Sequence, residues 1–324
     1  MSSNIDISGL PAAAPPPGVT PNFVDPPPTP APSFAVAGVF VTLMLVAVLI
    51  RLFVCARLAK GWGWNDYTCF IAAIGSVTHT IVYLVFLQLH PLRNIYNESV
   101  ASFSSSYSGQ FISVNGITYL FAIFFTKISI ILLYQLLFGV NRAFRLFTRV
   151  TLVIFCLFYP PIAGASIAFL ARCNVLDTVR EHDTSLRLFC STFSYYVLFI
   201  NASFNVATDF WLLLLPIPII AKLQVSLKQK LGIGAIFAGG LGACAASIAR
   251  LVVISVNFDT VEVTLVLNTF AELSIVEVNI GIIVACAPCF PLFYNHVRGW
   301  LLALRGSRKV DRLTDEPDDI LSFH

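Results

Sequence analysis

Asn201, Asn205 and Asp209 recur every four residues in VLFINASFNVATDFWLLLLPIP (197–218), a stretch otherwise built largely of hydrocarbon. Side chains four apart stack on one face of a helix, so these three form a polar strip. Lys127 is as isolated in FAIFFTKISIILLY (121–134), and Arg250 ends SIAR among apolar residues. Asn268, Glu272, Glu277 and Asn279 punctuate LNTFAELSIVEVNIG (267–281). Groups of these types can hydrogen-bond a ligand, pass a proton between carboxylates, or neutralise one another. A charge alone at the centre of a bilayer costs about 2.5–3.5 kcal/mol on insertion scales. Two cations and three acids at matched depths therefore point to pairing: Lys127 with Asp209 or Glu277, and Arg250 with Glu272. On that reading a charge-swapped Lys127/Asp209 double variant recovers the folding that each single replacement loses. Three uses of the polar centre stay open: neutralisation that fixes helix register, a water-filled cavity that binds a ligand, and proton or ion transfer.

The elements that must position these groups follow from composition. The chain is 57% hydrophobic and 11% charged, with 28 phenylalanines, where a soluble domain carries about 25% charged residues. The excess falls in seven runs, about 34–56, 65–89, 111–139, 146–171, 191–221, 231–257 and 264–295. Each is long enough for a hydrocarbon core about 30 Å thick. The expected fold is all-α, a seven-transmembrane helix bundle of rhodopsin-like arrangement over 34–297. Residues 1–33, rich in proline and alanine, read as a disordered tail. With neither a basic start nor an early apolar run, the first span is expected to act as its own signal-anchor. Residues 298–324 read as a short tail whose VRGWLLALRGSRK forms an interfacial helix. Pro216 and Pro218 should bend the fifth span. Ala235, Gly239, Ala243 and Ser247 make a ladder of small residues for close helix contact.

Basic residues set the orientation. Arg57, Lys60, Arg142, Arg145, Arg149, Lys222, Lys228 and Lys230 follow spans one, three and five, and five more follow span seven. Only Arg93, Arg172, Arg180 and Arg187 lie in loops on the other side. The amino terminus is thus expected outside and the carboxyl terminus in the cytosol. NES at Asn97 is a glycosylation sequon on the outer side. Cys173 and Cys190 flank an outer loop, where oxidation is allowed, and are the pair expected to bridge. The other cysteines read as small packing residues, CAPC at 286–289 included.

Several chemistries are disfavoured. The seventh span holds no lysine for a retinal Schiff base, and His79 is the one histidine clearly inside a span, where haem would need a pair. No glycine-rich phosphate loop, metal-ligand spacing or nucleophile setting is present, and no cofactor is expected. The net charge of +3 gives no reason to propose nucleic acid.

Read in order, the landmarks resemble those of the fungal rhodopsin-domain family, which includes the Pth-eleven-like proposed receptors. The resemblance runs from about 45 to 295. TKISIILLY carries Lys127, Ser129 and Tyr134, and NVATDFWLLLLPIP carries Asn205, Asp209, Pro216 and Pro218. LQVSLKQKLG with SIARL places Lys228, Lys230, Gly232, Ser247 and Arg250, and VEVNIGIIVACAP covers Glu277, Asn279, Gly281 and Pro288. Cys173 and Cys190 fall where the family has outer-loop cysteines. Departures are Asn65 and Asp66 in WNDY where two acids are usual, Leu136 for an arginine and Leu273 for a tryptophan. The resemblance implies an integral membrane protein; some members are proposed surface or chemical sensors, and others are encoded beside secondary-metabolite enzymes. The expected function is a receptor-like sensor of a small amphipathic ligand in the plasma membrane or another secretory-route membrane. Its ligand would sit near Arg250, Glu272, Asn268 and Asn201, with a cytosolic signalling partner of unknown kind. The alternatives are a membrane-embedded enzyme or accessory protein of secondary metabolism, and a structural scaffold.

Overall fold

The computed structural model describes residues 11, 15, 18–22, 33–58, 61–89, 97, 106–139, 142–174, 184–220, 227–256 and 263–314. Side chains within these ranges are described except at 89, 106–112, 172–174, 184–195, 219–220, 227–233, 235, 263–265 and 303–314. The helices are α1 (Ser33–Arg57), α2 (Trp64–Leu89), α3 (Ser106–Phe138), α4 (Arg142–Asn174), α5 (Thr184–Leu214), α6 (Ile217–Ile220), α7 (Leu227–Val256), α8 (Val263–Cys286) and α9 (Cys289–Thr314). Among the described residues seven of them, all but α6 and α9, are long and apolar enough to cross a membrane. Below, the side of the bundle on which α1 begins is the N-side and that on which it ends is the C-side.

Two of the expected runs are broken, both by proline. The fifth ends at Leu214, where Leu215 N–H still reaches the Trp211 carbonyl at 3.0 Å, and α6 follows as a separate turn. Pro216 has no N–H for the Leu212 carbonyl, so the ladder stops there. The seventh, expected to run to 295, ends at Cys286. Ala287 N–H bonds the Val284 carbonyl at 3.1 Å, a tightened last turn, and Pro288 cannot continue it. The chain restarts as α9, which therefore begins well before the interfacial segment expected from 298. Trp300, Leu301 and Leu302 on α9 are exposed, as a helix lying against lipid requires.

Neighbours in the bundle follow chain order. α2 packs along α3, α3 along α4, α5 along α7 and α7 along α8, and α1 closes the ring against α8. α3 also reaches α8 directly, so these two helices are the innermost spans and α4 is the outermost. The core between them includes Cys69, Tyr119, Ile123, Ile131, Tyr159, Leu212, Val278, Ile282 and Cys286. Leu43, Val46, Leu49, Val153 and Leu157 face outward and exposed, which suits hydrocarbon solvent. α4 is held to α5 by aromatic contact, with Phe158 and Phe204 stacked at 3.5 Å between centroids, and by Trp211 Nε1–H on Thr151 Oγ1 at 3.0 Å.

Close approach depends on small residues, as membrane packing without a hydrophobic drive between helices requires. Gly239, one rung of the expected ladder, lies directly against Val284 of α8. A Cβ on Gly75 of α2 would sit 2.9 Å from Phe121 Cδ1 and 3.2 Å from the Ala122 Cα of α3. The second neighbour is backbone and cannot swing aside. Gly75→Ala should therefore destabilise the purified protein by about 1–3 kcal/mol, read as a lower midpoint of thermal unfolding in detergent; an unchanged midpoint would mean that α2 and α3 do not approach this closely.

Candidate functional site

Polar groups occupy three levels of the interior. On the C-side, Arg51 of α1 donates from Nε and Nη2 to Asp66 Oδ1 at 2.9 and 2.7 Å. Its Nη1 reaches the Ala285 carbonyl. That carbonyl belongs to the last turn of α8, whose C=O groups lack helical partners and carry the negative end of the dipole. Asp66 Oδ2 accepts the Gly63 N–H at 2.8 Å, the half of a capping box in which the N3 side chain reaches back to the N-cap N–H at the start of α2. One pair thus ties α1, α2 and α8 together. Ser129 of α3 adds a hydrogen bond to the Asn65 carbonyl at 3.1 Å.

At mid-depth, Lys127 Nζ of α3 meets Asp209 Oδ1 of α5 at 2.8 Å. The same ammonium donates to the Asn205 carbonyl at 3.1 Å and to Thr208 Oγ1. Asn205 then bridges the acids: its Nδ2 lies 2.6 Å from Glu277 Oε1 and 3.3 Å from Asp209 Oδ2, and its Oδ1 accepts from Tyr159 at 3.3 Å. Arg250 Nη1 of α7 lies 3.3 Å from Glu277 Oε2 and donates to Ser274 at 3.0 Å. The guanidinium carbon sits 4.2 Å from the Tyr119 ring and 4.9 Å from that of Phe270. Asn279 accepts from Ser76 of α2 at 3.0 Å and donates to the Ile275 carbonyl at 2.8 Å. Two cations and two acids sum to zero charge here, spread over four helices, and all four side chains are nearly sealed from the surface.

On the N-side, Glu272 Oε1 accepts from Ser33 at the start of α1 and from Asn268 Nδ2 at 2.8 Å. The Tyr83 hydroxyl lies 2.6 Å from Asn268 Oδ1 and 3.3 Å from Glu272 Oε1. Arg250 and Glu272 therefore do not pair as expected; the partner is Glu277. Five residues turn an α-helix through about 500°, so Glu272 and Glu277 point roughly 140° apart on α8. Glu277 shares the face of Phe270 and Ser274 that meets α7, and Glu272 looks toward α1 and α2.

The residues expected to line one outward pocket accordingly fall apart. Asn268 and Glu272 belong to the α1–α2 side and Arg250 to the mid-depth charges. Asn201, one turn from Asn205 on α5, is buried, and its Oδ1 bonds none of them. A small cavity of about 40 Å³ lies on the C-side of the charges, lined among others by Tyr134, Asp209, Phe237 and Gly281, with room for water. Sequence reasoning missed Arg51, Ser33 and Tyr83. Arg51 lies inside the first apolar run, where averaging over hydrocarbon hides a single cation; the usable signal was an acid, Asp66, just across the following turn. Cys173 and Cys190 have side chains outside the described ones. Asn97 is buried, and its Oδ1 accepts the Asn22 backbone N–H at 3.1 Å.

Seven membrane-length helices enclosing a charge-neutral polar core define a polytopic membrane protein of the seven-helix class. The chain matches the fungal rhodopsin domain over residues 50–295 and belongs to that family. It is similar to a SAT4 family membrane protein of Emericella nidulans, 31% identical over 206 residues, which is 63% of this chain and 50% of the relative. It is also similar to Fugralins biosynthesis cluster protein 2 of Gibberella zeae, 30% identical over 91 residues, 28% of this chain and 23% of the relative. The chain thus aligns with half or less of the length of each of these curated relatives. No solved structure matches it.

Proposed function

We propose that the chain is a receptor-like sensor that takes a small amphipathic ligand, other than retinal, into the N-side half of the bundle. The observation that supports this most is the hydrogen-bonded charge network joining α3, α5, α7 and α8 through Lys127, Asp209, Asn205, Glu277 and Arg250. A molecule that shifts Arg250 on binding alters the bonds of Glu277 and Asn205, and through them the seating of α5, which breaks at Pro216 on its way to the C-side. The basic loops after spans one, three and five support a C-side in the cytosol and an amino terminus outside, across the plasma membrane. A Cys173–Cys190 bond and a glycan on Asn97 belong to the same orientation; the glycan would join Asn97 Nδ2, while Oδ1 accepts the Asn22 N–H.

The test uses cells that express the chain or Arg250→Ala at equal surface level, exposed to an extract of the source organism's secreted metabolites. A transcriptional response present with the native chain and absent with the variant is expected; an equal response in both contradicts the reading. One second reading has an observation of its own. A relative is named for a biosynthesis cluster, and Asp209 and Glu277 are carboxylates inside a closed apolar bundle, so a membrane-embedded accessory or enzymatic role in secondary metabolism is the rival.

A further inference from the structure

The bundle buries Arg51 and Arg250 alike, yet uses them differently. All three nitrogens of Arg51 are bonded, two to Asp66 and one to a backbone carbonyl. Arg250 commits only Nη1, to Ser274 and to Glu277. Its Nε and Nη2 have no hydrogen-bond partner among the described residues, although the residue is completely enclosed, with Tyr119 and Phe270 against the guanidinium. Those two N–H groups form one edge of the planar fork, the edge that grips a pair of oxygen lone pairs.

Among the described residues three other enclosed polar atoms are unpartnered: His79 Nε2, Asn115 Oδ1 and Asn201 Oδ1. The His79 ring is 5.9 Å from the Tyr119 ring on which Arg250 rests, and its Nδ1 lies 3.2 Å from Thr118 Oγ1. Asn115 stands one turn to the N-side of Tyr119 on α3. Asn201 stands one turn to the N-side of Asn205, the residue that holds the carboxylate paired with Arg250. Enclosed polar atoms normally find partners, and leaving them unpaired is costly. Here five of them among the described residues, on α2, α3, α5 and α7, have no partner.

We infer that Arg250, His79, Asn115 and Asn201 form the head-group site of the proposed sensor, shaped for an uncharged oxygen-rich head in which a carbonyl is flanked by hydroxyls. The carbonyl oxygen accepts from Nε and Nη2 of Arg250, and the hydroxyls donate to Asn115 Oδ1 and Asn201 Oδ1. Charge decides against a carboxylate. Lys127, Arg250, Asp209 and Glu277 already cancel, so an anionic head would leave one charge uncompensated in the interior. This inference rests on the sensor reading and adds the ligand's chemistry to it.

The test is thermal unfolding of the full chain in detergent, with 2,4-dihydroxyacetophenone as the probe and acetophenone and 2,4-dihydroxybenzoate as comparisons. The dihydroxy ketone should raise the native midpoint, and the other two should raise it little or not at all. Asn201→Leu, which replaces an amide whose oxygen is unpaired by hydrocarbon, should raise the midpoint without probe by about 2–4 °C and abolish the probe's effect. A merely structural asparagine would instead be missed, so a lower midpoint for Asn201→Leu overturns the inference. So does an equal probe shift in native and variant protein. No shift in the native protein, with Asn201→Leu stabilised, means a cluster of waters alone and also overturns it. A shift by the benzoate in place of the ketone overturns the uncharged head while leaving the sensor reading, which the Arg250→Ala signalling comparison tests separately.

Discussion

Arg51→Met should unfold or strand the protein before any other single replacement in the membrane region. The variant leaves Asp66 enclosed without its cation, because Asp66 Oδ1 takes both N–H groups of the guanidinium. It also strips the Ala285 carbonyl at the end of α8 of its donor. Removing one partner of a buried ion pair costs about 3–5 kcal/mol, a large share of the 5–15 kcal/mol that holds an ordinary domain folded. Three helices lose their shared tie at once, α1, α2 and α8, and α1 has few other polar anchors. The expected result is loss of the monodisperse peak in detergent gel filtration and retention in the endoplasmic reticulum. Arg51→Lys should rescue only in part, since an ammonium cannot reproduce the two-nitrogen grip on one carboxylate oxygen. Full surface expression of Arg51→Met would show that the pair does not carry α1.

Lys127→Met should come next in size. Asp209 then faces hydrocarbon and one amide, with Asn205 Nδ2 at 3.3 Å its only described donor. The cost is again about 3–5 kcal/mol. The geometry revises the expectation for the charge swap. Lys127 Nζ donates to the Asn205 carbonyl as well as to Asp209, and a carboxylate at 127 would turn acceptor oxygens toward that carbonyl. The swap should therefore recover little. The apolar double replacement Lys127→Met with Asp209→Leu should recover most of the loss, as buried pairs exchanged for packed hydrocarbon commonly do. Such a variant is expected to fold and to lack any signalling that depends on the network.

These expectations separate what the sequence makes legible from what only packing decides. Run length and hydrocarbon content suffice for seven spans, because nothing else can shield a helix backbone in lipid. Lys127 was legible as the partner of a mid-span acid, Asp209 or Glu277, because it is the lone charge near the middle of its own span; the choice between the two acids was left to packing. Arg250 was not, because depth alone favours Glu272 and the choice turns on which face of α8 meets α7. The break after Cys286 was written in Pro288, yet the apolar run continues through it, and hydropathy cannot see a missing N–H. The Arg51–Asp66 tie needed the turn between α1 and α2 to be short enough to bring the two ends together, which is a property of loop geometry.

The central claim is that charges sunk in separate spans are bound to each other inside the bundle. A double-mutant cycle on Lys127→Met and Asp209→Leu, read by unfolding free energy in one detergent, tests it most directly. A coupling of about 2 kcal/mol or more, with the double variant more stable than either single one, is the predicted result. Additive losses within about 0.5 kcal/mol would mean that the two side chains do not meet, and the account of the interior would fail with them.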